Sequence, residues 1–193
     1  MSVVTAPKLM TAEEFLALPD DGVERWLIGG ELREKRDTDM TMRNKSHSIT
    51  EARVARILGN WVETQPKPRG EVVCGEAGFL LRHDPGSITA GVDVAIISAA
   101  QADRRSPNPS LVEGPALMIA EINSPYDTTE EIAERVEEYL ECGVPLVWVI
   151  NPYSRTVIVH RPDDEALALD VRDELDGGTE LPGFRCKVSE LFR

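Results

Sequence analysis

The sequence predicts an α/β fold, a mixed sheet flanked by two main helices, on three observations. Two short apolar runs, Val92-Asp93-Val94-Ala95-Ile96-Ile97 and Leu117-Met118-Ile119-Ala120-Glu121-Ile122-Asn123, have the length and composition of strands covered on both faces. A segment of helical period over residues 129–142 follows the second run and leads through Gly143 into a further apolar run over 146–150. Strand, helix and strand in that order make a parallel pair joined by a right-handed crossover. A second segment of helical period, over residues 46–62, is long enough to form another layer. With 193 residues, 41% hydrophobic side chains and no internal repeat, the chain from 1 to 193 reads as one domain with one well-filled core.

The remaining elements follow in chain order. Thr11-Ala12-Glu13-Glu14 has the form of a capping box and predicts a short helix through Leu18. Pro19-Asp20-Asp21-Gly22 is a turn, after which Arg25-Trp26-Leu27-Ile28 and Glu31-Leu32-Arg33 read as a tight hairpin around Gly29-Gly30, which supply the positive φ angles the turn needs. In the long helix Ile49, Ala52, Val54, Ile57, Leu58 and Trp61 recur at helical spacing, and Gln65-Pro66-Lys67-Pro68 ends the run. Val72-Val73-Cys74 and Phe79-Leu80-Leu81 fit a hairpin or one bent strand equally well. The polar segment 101–114, with Pro107 and Pro109, predicts a surface loop. The helix over 129–142 presents Ile132, Ala133, Val136 and Leu140 on one face and six glutamates mainly on the other, and Gly143 stops it. Residues 156–160 and 166–169 extend the sheet as antiparallel strands after the turn Asn151-Pro152-Tyr153-Ser154.

Several chemistries have no support in the residues. Cys74, Cys142 and Cys186 are odd in number, far apart and free of Cys-x-x-Cys pairing, so reduced and mostly buried thiols are expected rather than a disulfide framework or a zinc site. Neither His83 nor His160 has a neighbouring ligand pattern, and no nucleophile elbow or phosphate-binding glycine loop occurs. The first residues lack a charged region followed by an apolar run, and no stretch approaches the length of a membrane span, so a cytoplasmic protein with no membrane partner is expected. The formal charge of −13 opposes tight binding of nucleic acid, which rests on Lys and Arg neutralising phosphates. One region leans basic, with Arg33, Lys35, Arg36, Arg43, Lys45, Arg53 and Arg56 set against Glu34, Asp37, Asp39 and Glu51. It is either a phosphate-facing patch or solvated surface.

The two carboxylates carry the chemistry. Asp93 and Glu121 each stand alone in an apolar strand, and two carboxylates on neighbouring strands repel unless a cation or a shared proton lies between them. A divalent ion such as Mg²⁺ or Mn²⁺ is the simplest such cation, and the backbone carbonyl of Ile122 is placed to complete its ligands. The alternative is a pair of strand-end carboxylates hydrogen-bonded to nearby amides or arginine.

Asp93, then Glu121 a strand later, a helix ending in Tyr139-Leu140-Glu141-Cys142-Gly143-Val144-Pro145, and the closing Leu181-Pro182-Gly183-Phe184 resemble the Uma-type putative restriction endonuclease family. That family is placed in the PD-(D/E)XK nuclease superfamily. The resemblance runs from Met10-Thr11-Ala12-Glu13-Glu14-Phe15 to Glu190-Leu191-Phe192. It implies a restriction-endonuclease-like fold with the carboxylates at one sheet edge, and a Mg²⁺- or Mn²⁺-dependent DNA endonuclease. It also implies a homodimer, paired through an edge of the strand-rich region after Asn151.

The resemblance also assigns residues. The superfamily lysine is missing at Asn123, and the Uma-type pattern moves it to the following helix, where Arg135 stands. Arginine offsets phosphate charge but stays protonated and cannot act as a base. Arg135 reads equally as a helix-surface residue pairing with Glu131 or Glu138. Val92 replaces the family's proline, and Trp26 replaces a glutamate of the first hairpin. Glu24, Glu31 or Glu76 then offers a substitute, with Glu76, beside Gly75 and Gly78, preferred. His47 falls where the family carries histidine and has a phosphate or partner contact as its candidate role, although capping or exposure is the plainer expectation. The acidic charge and missing lysine point to the alternative, a binding or dimerisation module that keeps the nuclease fold without the activity.

Overall fold

The computed structural model describes residues 9–19, 21, 23–35, 44–82, 86–103, 111–125 and 127–193, with the side chains of Glu24 and Lys35 excepted. Arg36, Arg43, His83, Pro107 and Pro109 lie outside the described residues. Helix α1 (Ala12–Leu16) has the expected capping box at Thr11 and Glu14. The hairpin of β1 (Glu24–Ile28) and β2 (Glu31–Lys35) turns at Gly29 and Gly30, with φ of 57° and 85°. Helix α2 (Lys45–Thr64) starts at Asn44, whose side chain accepts from the Ser46 amide.

The two strand candidates after α2 form one long strand, β3 (Glu71–Arg82), which pairs antiparallel with β4 (Ile88–Ile97). Its register shifts between Cys74 and Ala77, where Gly75 and Glu76 take φ of 81° and 60°. This is a β-bulge, and the bend it makes in one strand replaces the alternative hairpin. The segment 101–114 is not all loop: α3 (Ala99–Ala102) runs into its start, and β5 (Val112–Glu113) near its end pairs parallel with β3. Next come β6 (Met118–Ile122), α4 (Thr129–Glu141) and β7 (Val147–Asn151), with β6 and β7 parallel as expected. Gly143, at φ 92°, closes α4.

β8 (Thr156–His160) and β9 (Leu167–Leu169) extend the sheet as antiparallel strands. The strand order is β2-β1-β4-β6-β7-β8-β9, with β3 on the other edge of β4. Asp93 and Glu121 therefore lie on central strands, which corrects the expectation of a sheet edge. A small hairpin of β10 (Glu174–Asp176) and β11 (Arg185–Lys187) and a 3₁₀ turn, Val188–Phe192, complete the fold.

Strand alternation sorts the core into two layers. Val94, Ile96, Met118, Ala120, Ile122, Trp148 and Ile150 face α2 through Val54, Leu58 and Val62. The closing Leu181-Pro182-Gly183-Phe184 packs there too, with the Phe184 ring 5.4 Å from that of Trp148 and the Trp61 Nε1 donating to the Pro182 carbonyl at 3.3 Å. On the opposite face Ala95, Ile97, Ile119, Val147 and Val149 meet α4 through Val136 and Tyr139.

Both helices turn a somewhat different face inward than their apolar spacing suggests. In α2 the buried stripe is His47, Thr50, Val54, Leu58 and Val62, while Ile49 and Ala52 are exposed. In α4 Tyr139 takes the buried place expected of Ala133, which faces solvent. Of the free cysteines, Cys186 is buried, Cys142 half-buried and Cys74 exposed, so burial holds for one of the three. Among the described residues no helix is long and apolar enough to cross a membrane.

Candidate active site

Asp93 sits where the sheet changes partners. β3 occupies one edge of β4 along its length, and the opposite edge is shared by β1, paired at Thr89, and β6, paired from Val94 to Ile96. Asp93 lies one residue before the β6 pairing begins. The next amide along β6, that of Ile122, donates to Asp93 Oδ2 at 2.8 Å. A side chain thus replaces a strand carbonyl at the point where the ladder ends, and this fixes the carboxylate against the residue that follows Glu121.

The other Asp93 oxygen faces α2. Its Oδ1 lies 3.1 Å from His47 Nε2, and His47 Nδ1 lies 3.8 Å from Glu51 Oε2 one helical turn later. His47 is 1% exposed, so the expectation that it caps the helix or faces solvent is overturned; Asn44 is the cap. The reason is the helical period: residues 47, 51, 54 and 58 lie on one face, and the face that buries Val54 and Leu58 carries His47 and Glu51 to Asp93 in the middle of β4. One ligand atom each from His47, Glu51 and Asp93 lies within 4.8 Å of the others.

Glu121 points to the α4 face, as alternation from Ile119 requires. Its Oε1 accepts from the Tyr139 hydroxyl at 2.9 Å, and its Oε2 lies 3.2 Å from an Arg135 guanidinium nitrogen. Arg135 reaches Asp127 at 3.7 Å with its other terminal nitrogen, and Asp127 accepts from the Ser124 amide at 2.7 Å. Arg135 is therefore a partly buried bridge between two carboxylates, while Glu131 forms the capping box with Thr128 at the start of α4. Burial pushes the Glu121 carboxyl up to about 7; Arg135 opposes this, the Asp93 charge adds to it, and the Tyr139 hydrogen bond lowers it. Burial works against the Arg135 charge, but Glu121 and its neighbours hold the guanidinium pKa above its usual value.

Glu76 occupies the bulge in β3. Its carboxylate lies over Gly91, where an added Cβ would meet Glu76 Oε2 at 2.7 Å, and a Cβ added at Gly75 beside it would lie 3.9 Å from Glu51 Oε1. The Asn123 amide donates to the Ile150 carbonyl at 2.9 Å and prolongs the β6–β7 pairing. Arg33, from the basic-leaning region, lies 3.6 Å from Glu31 and 3.8 Å from Glu134.

The Uma2 family, described as putative restriction endonuclease, matches residues 12–189. The chain belongs to that family. The Uma2 chain is also similar to the crystal structure of a putative nuclease belonging to DUF820 from Anabaena variabilis, with a TM-score of 0.76 and 19% identity over 95% of this chain and 97% of that one. At that identity the likeness establishes the shared nuclease-type α/β fold. No curated protein matches the Uma2 chain.

Three residues of this candidate site have no role in the sequence reading. Glu51 was legible by stepping back along α2 from Val62 through Leu58 and Val54, and Tyr139 by its place one turn after Arg135. Asp127 carried no signal, since a loop carboxylate before a helix is usually a cap.

Proposed function

We propose that the protein is a cytoplasmic, divalent-metal-dependent phosphodiesterase that cuts DNA as a homodimer, with Asp93, Glu121, the Ile122 carbonyl and Arg135 as its working groups. The observation that carries this reading is the hydrogen bond from the Ile122 amide to Asp93, which brings the carboxylates of two central strands to one end of one strand pair. Membership of a family described as putative restriction endonuclease supports DNA as the substrate.

The donors fit a hard or borderline divalent cation at Asp93. Asp93 is 4% exposed, Glu51 offers a ligand atom within 4.8 Å of its own, and the Asp93 charge is felt at buried Glu121, so carboxylates cluster where a cation would offset them. Lewis acidity is the chemistry such a cation supplies when bound: water becomes a better nucleophile near neutral pH and phosphate charge is withdrawn. The chain's own residues do the rest. Asp93, fixed by the Ile122 amide, holds the ion. Arg135, anchored by Glu121 and Asp127, presents positive charge to the phosphate and cannot take a proton from water. Glu121, held by Tyr139, sets where that guanidinium sits.

Mn²⁺ calorimetry decides the metal part. Wild type is expected to bind Mn²⁺ and the Asp93→Ala, Glu121→Ala double variant not to; equal binding removes the site. Plasmid nicking at low salt with Mg²⁺ and with Mn²⁺ tests the activity, with Glu121→Ala as the blank. A second reading has its own observation. Arg135 closes on Glu121 where a lysine is expected, and with the −13 charge this favours a nuclease fold used for binding or dimerisation. Wild-type nicking no greater than the blank, with the fold intact, would select it.

A further inference from the structure

We propose that His47 and Glu51 complete the metal site on the α2 side of Asp93, and that the site therefore takes a first-row transition-metal ion, such as Mn²⁺ or Co²⁺, in preference to Mg²⁺. The inference rests on the proposed cation at Asp93 and names its remaining ligands.

The geometry has three parts. His47 and Glu51 stand four residues apart on one face of a 20-residue helix whose continuation, Val54 and Leu58, is buried in the core, so their backbone is rigidly placed. Their ligand atoms and that of Asp93 lie within 4.8 Å of one another. An ion with bonds of about 2.1 Å separates its ligand atoms by at most about twice that, so the widest spacing has only a few tenths of an ångström to close. Finally, Glu121 is committed elsewhere: its oxygens meet Tyr139 and Arg135 on the α4 face. The second carboxylate for an ion at Asp93 is then Glu51.

The chemistry follows from the donor set. Mg²⁺ favours oxygen ligands and keeps much of its water, whereas imidazole nitrogen suits the later divalent ions. A histidine 1% exposed, set between two carboxylates, forms a nitrogen-and-oxygen site. The competing arrangement is a doubly protonated imidazolium hydrogen-bonded to Asp93 and attracted by the Glu51 charge 3.8 Å away, which needs no ion.

The test is calorimetric titration of the full chain with Mn²⁺ and with Mg²⁺, on wild type and on His47→Gln, Glu51→Gln, Asp93→Asn and Glu121→Gln, each checked for an unchanged far-ultraviolet spectrum. Wild type should bind Mn²⁺ at least about tenfold more tightly than Mg²⁺, and His47→Gln and Glu51→Gln should each lose about tenfold or more in Mn²⁺ affinity, while Glu121→Gln loses much less. Loss in Asp93→Asn and Glu121→Gln with none in His47→Gln or Glu51→Gln overturns this ligand set and leaves the proposed function standing. Absence of any wild-type Mn²⁺ binding overturns both. Should the variants misfold, pulsed EPR of Mn²⁺ on wild type reads the same point directly. A ¹⁴N coupling from a bound imidazole supports the proposal, and its absence overturns it.

Discussion

Arg135 and Tyr139 hold one carboxylate in two different ways, and each can be tested by a single atom-scale change. The guanidinium spans Glu121 and Asp127 because its terminal nitrogens point apart; an ammonium is one compact charge and serves one of them at a time. Lysine also gives up a proton, which arginine does not. Arg135→Lys is therefore expected to raise plasmid nicking above wild type by about tenfold or more, as a positioned general base commonly does. Helix propensity is nearly equal for the two, so the fold should not confuse the comparison. Nicking at the level of the Glu121→Ala blank, with metal binding intact, would end the assignment of Arg135 to the lysine's place. Tyr139→Phe removes only the hydroxyl that donates to buried Glu121 at 2.9 Å. Leaving that oxygen without its donor should cost about 1–3 kcal/mol in urea unfolding; a change near zero would mean that water reaches the pocket.

At the scale of the element, α4 is set at both ends by local chemistry. Thr128 and Glu131 exchange capping hydrogen bonds at its start, and Gly143 ends it in the left-handed region. Those ends determine which turn of the helix lies beside β6, and so whether Arg135 and Tyr139 meet Glu121. Among the described residues a Cβ at Gly143 would find only Pro115 nearby, at 3.8 Å, so the penalty of Gly143→Ala is conformational. We expect about 1–2 kcal/mol of destabilisation by equilibrium unfolding. A neutral result would show that the end of α4 is held by packing rather than by its cap. The β3 bulge is a comparable device: with Gly75 and Glu76 both at positive φ, it carries Glu76 over Gly91, two residues before Asp93.

For the whole molecule, charge and sheet edges decide how it meets other molecules. A charge of −13 repels DNA at long range, so any nicking should fall steeply as salt weakens the few basic contacts. β9 ends the sheet, and among the described residues it pairs only with β8, while Leu167 on it is 54% exposed. An uncovered edge with an exposed leucine is a natural surface for a second copy. Light scattering at micromolar concentration is expected to give a dimer mass for wild type and a monomer mass for Leu167→Glu. A monomer mass for wild type would remove the homodimer.

The main helices and sheet strands, their order and the family were legible in the sequence, because the signals involved are local, whereas α3, β5 and the β10–β11 hairpin were not. The cap at Thr11, glycines at 29, 30 and 143, and the periods of the apolar runs each act within a few residues, and the neighbouring carboxylate strands follow from the resemblance and the connection lengths. What the tertiary structure alone decided is which polar side chains those strands meet. Apolar spacing in α2 suggested a face through Ile49 and Ala52, but the helix is rolled so that His47 and Glu51 are carried inward. The burial of His47 is offset by Asp93, a partner 46 residues away that no local period encodes. Likewise, a lone Glu121 in an apolar strand announces a need for a partner without naming one. Strand alternation turns it toward α4, and only the packing of that helix supplies Tyr139 and Arg135. Periodicity reports the face a residue shares with its near neighbours; the charge that compensates a buried carboxylate comes from whichever element the fold sets against it.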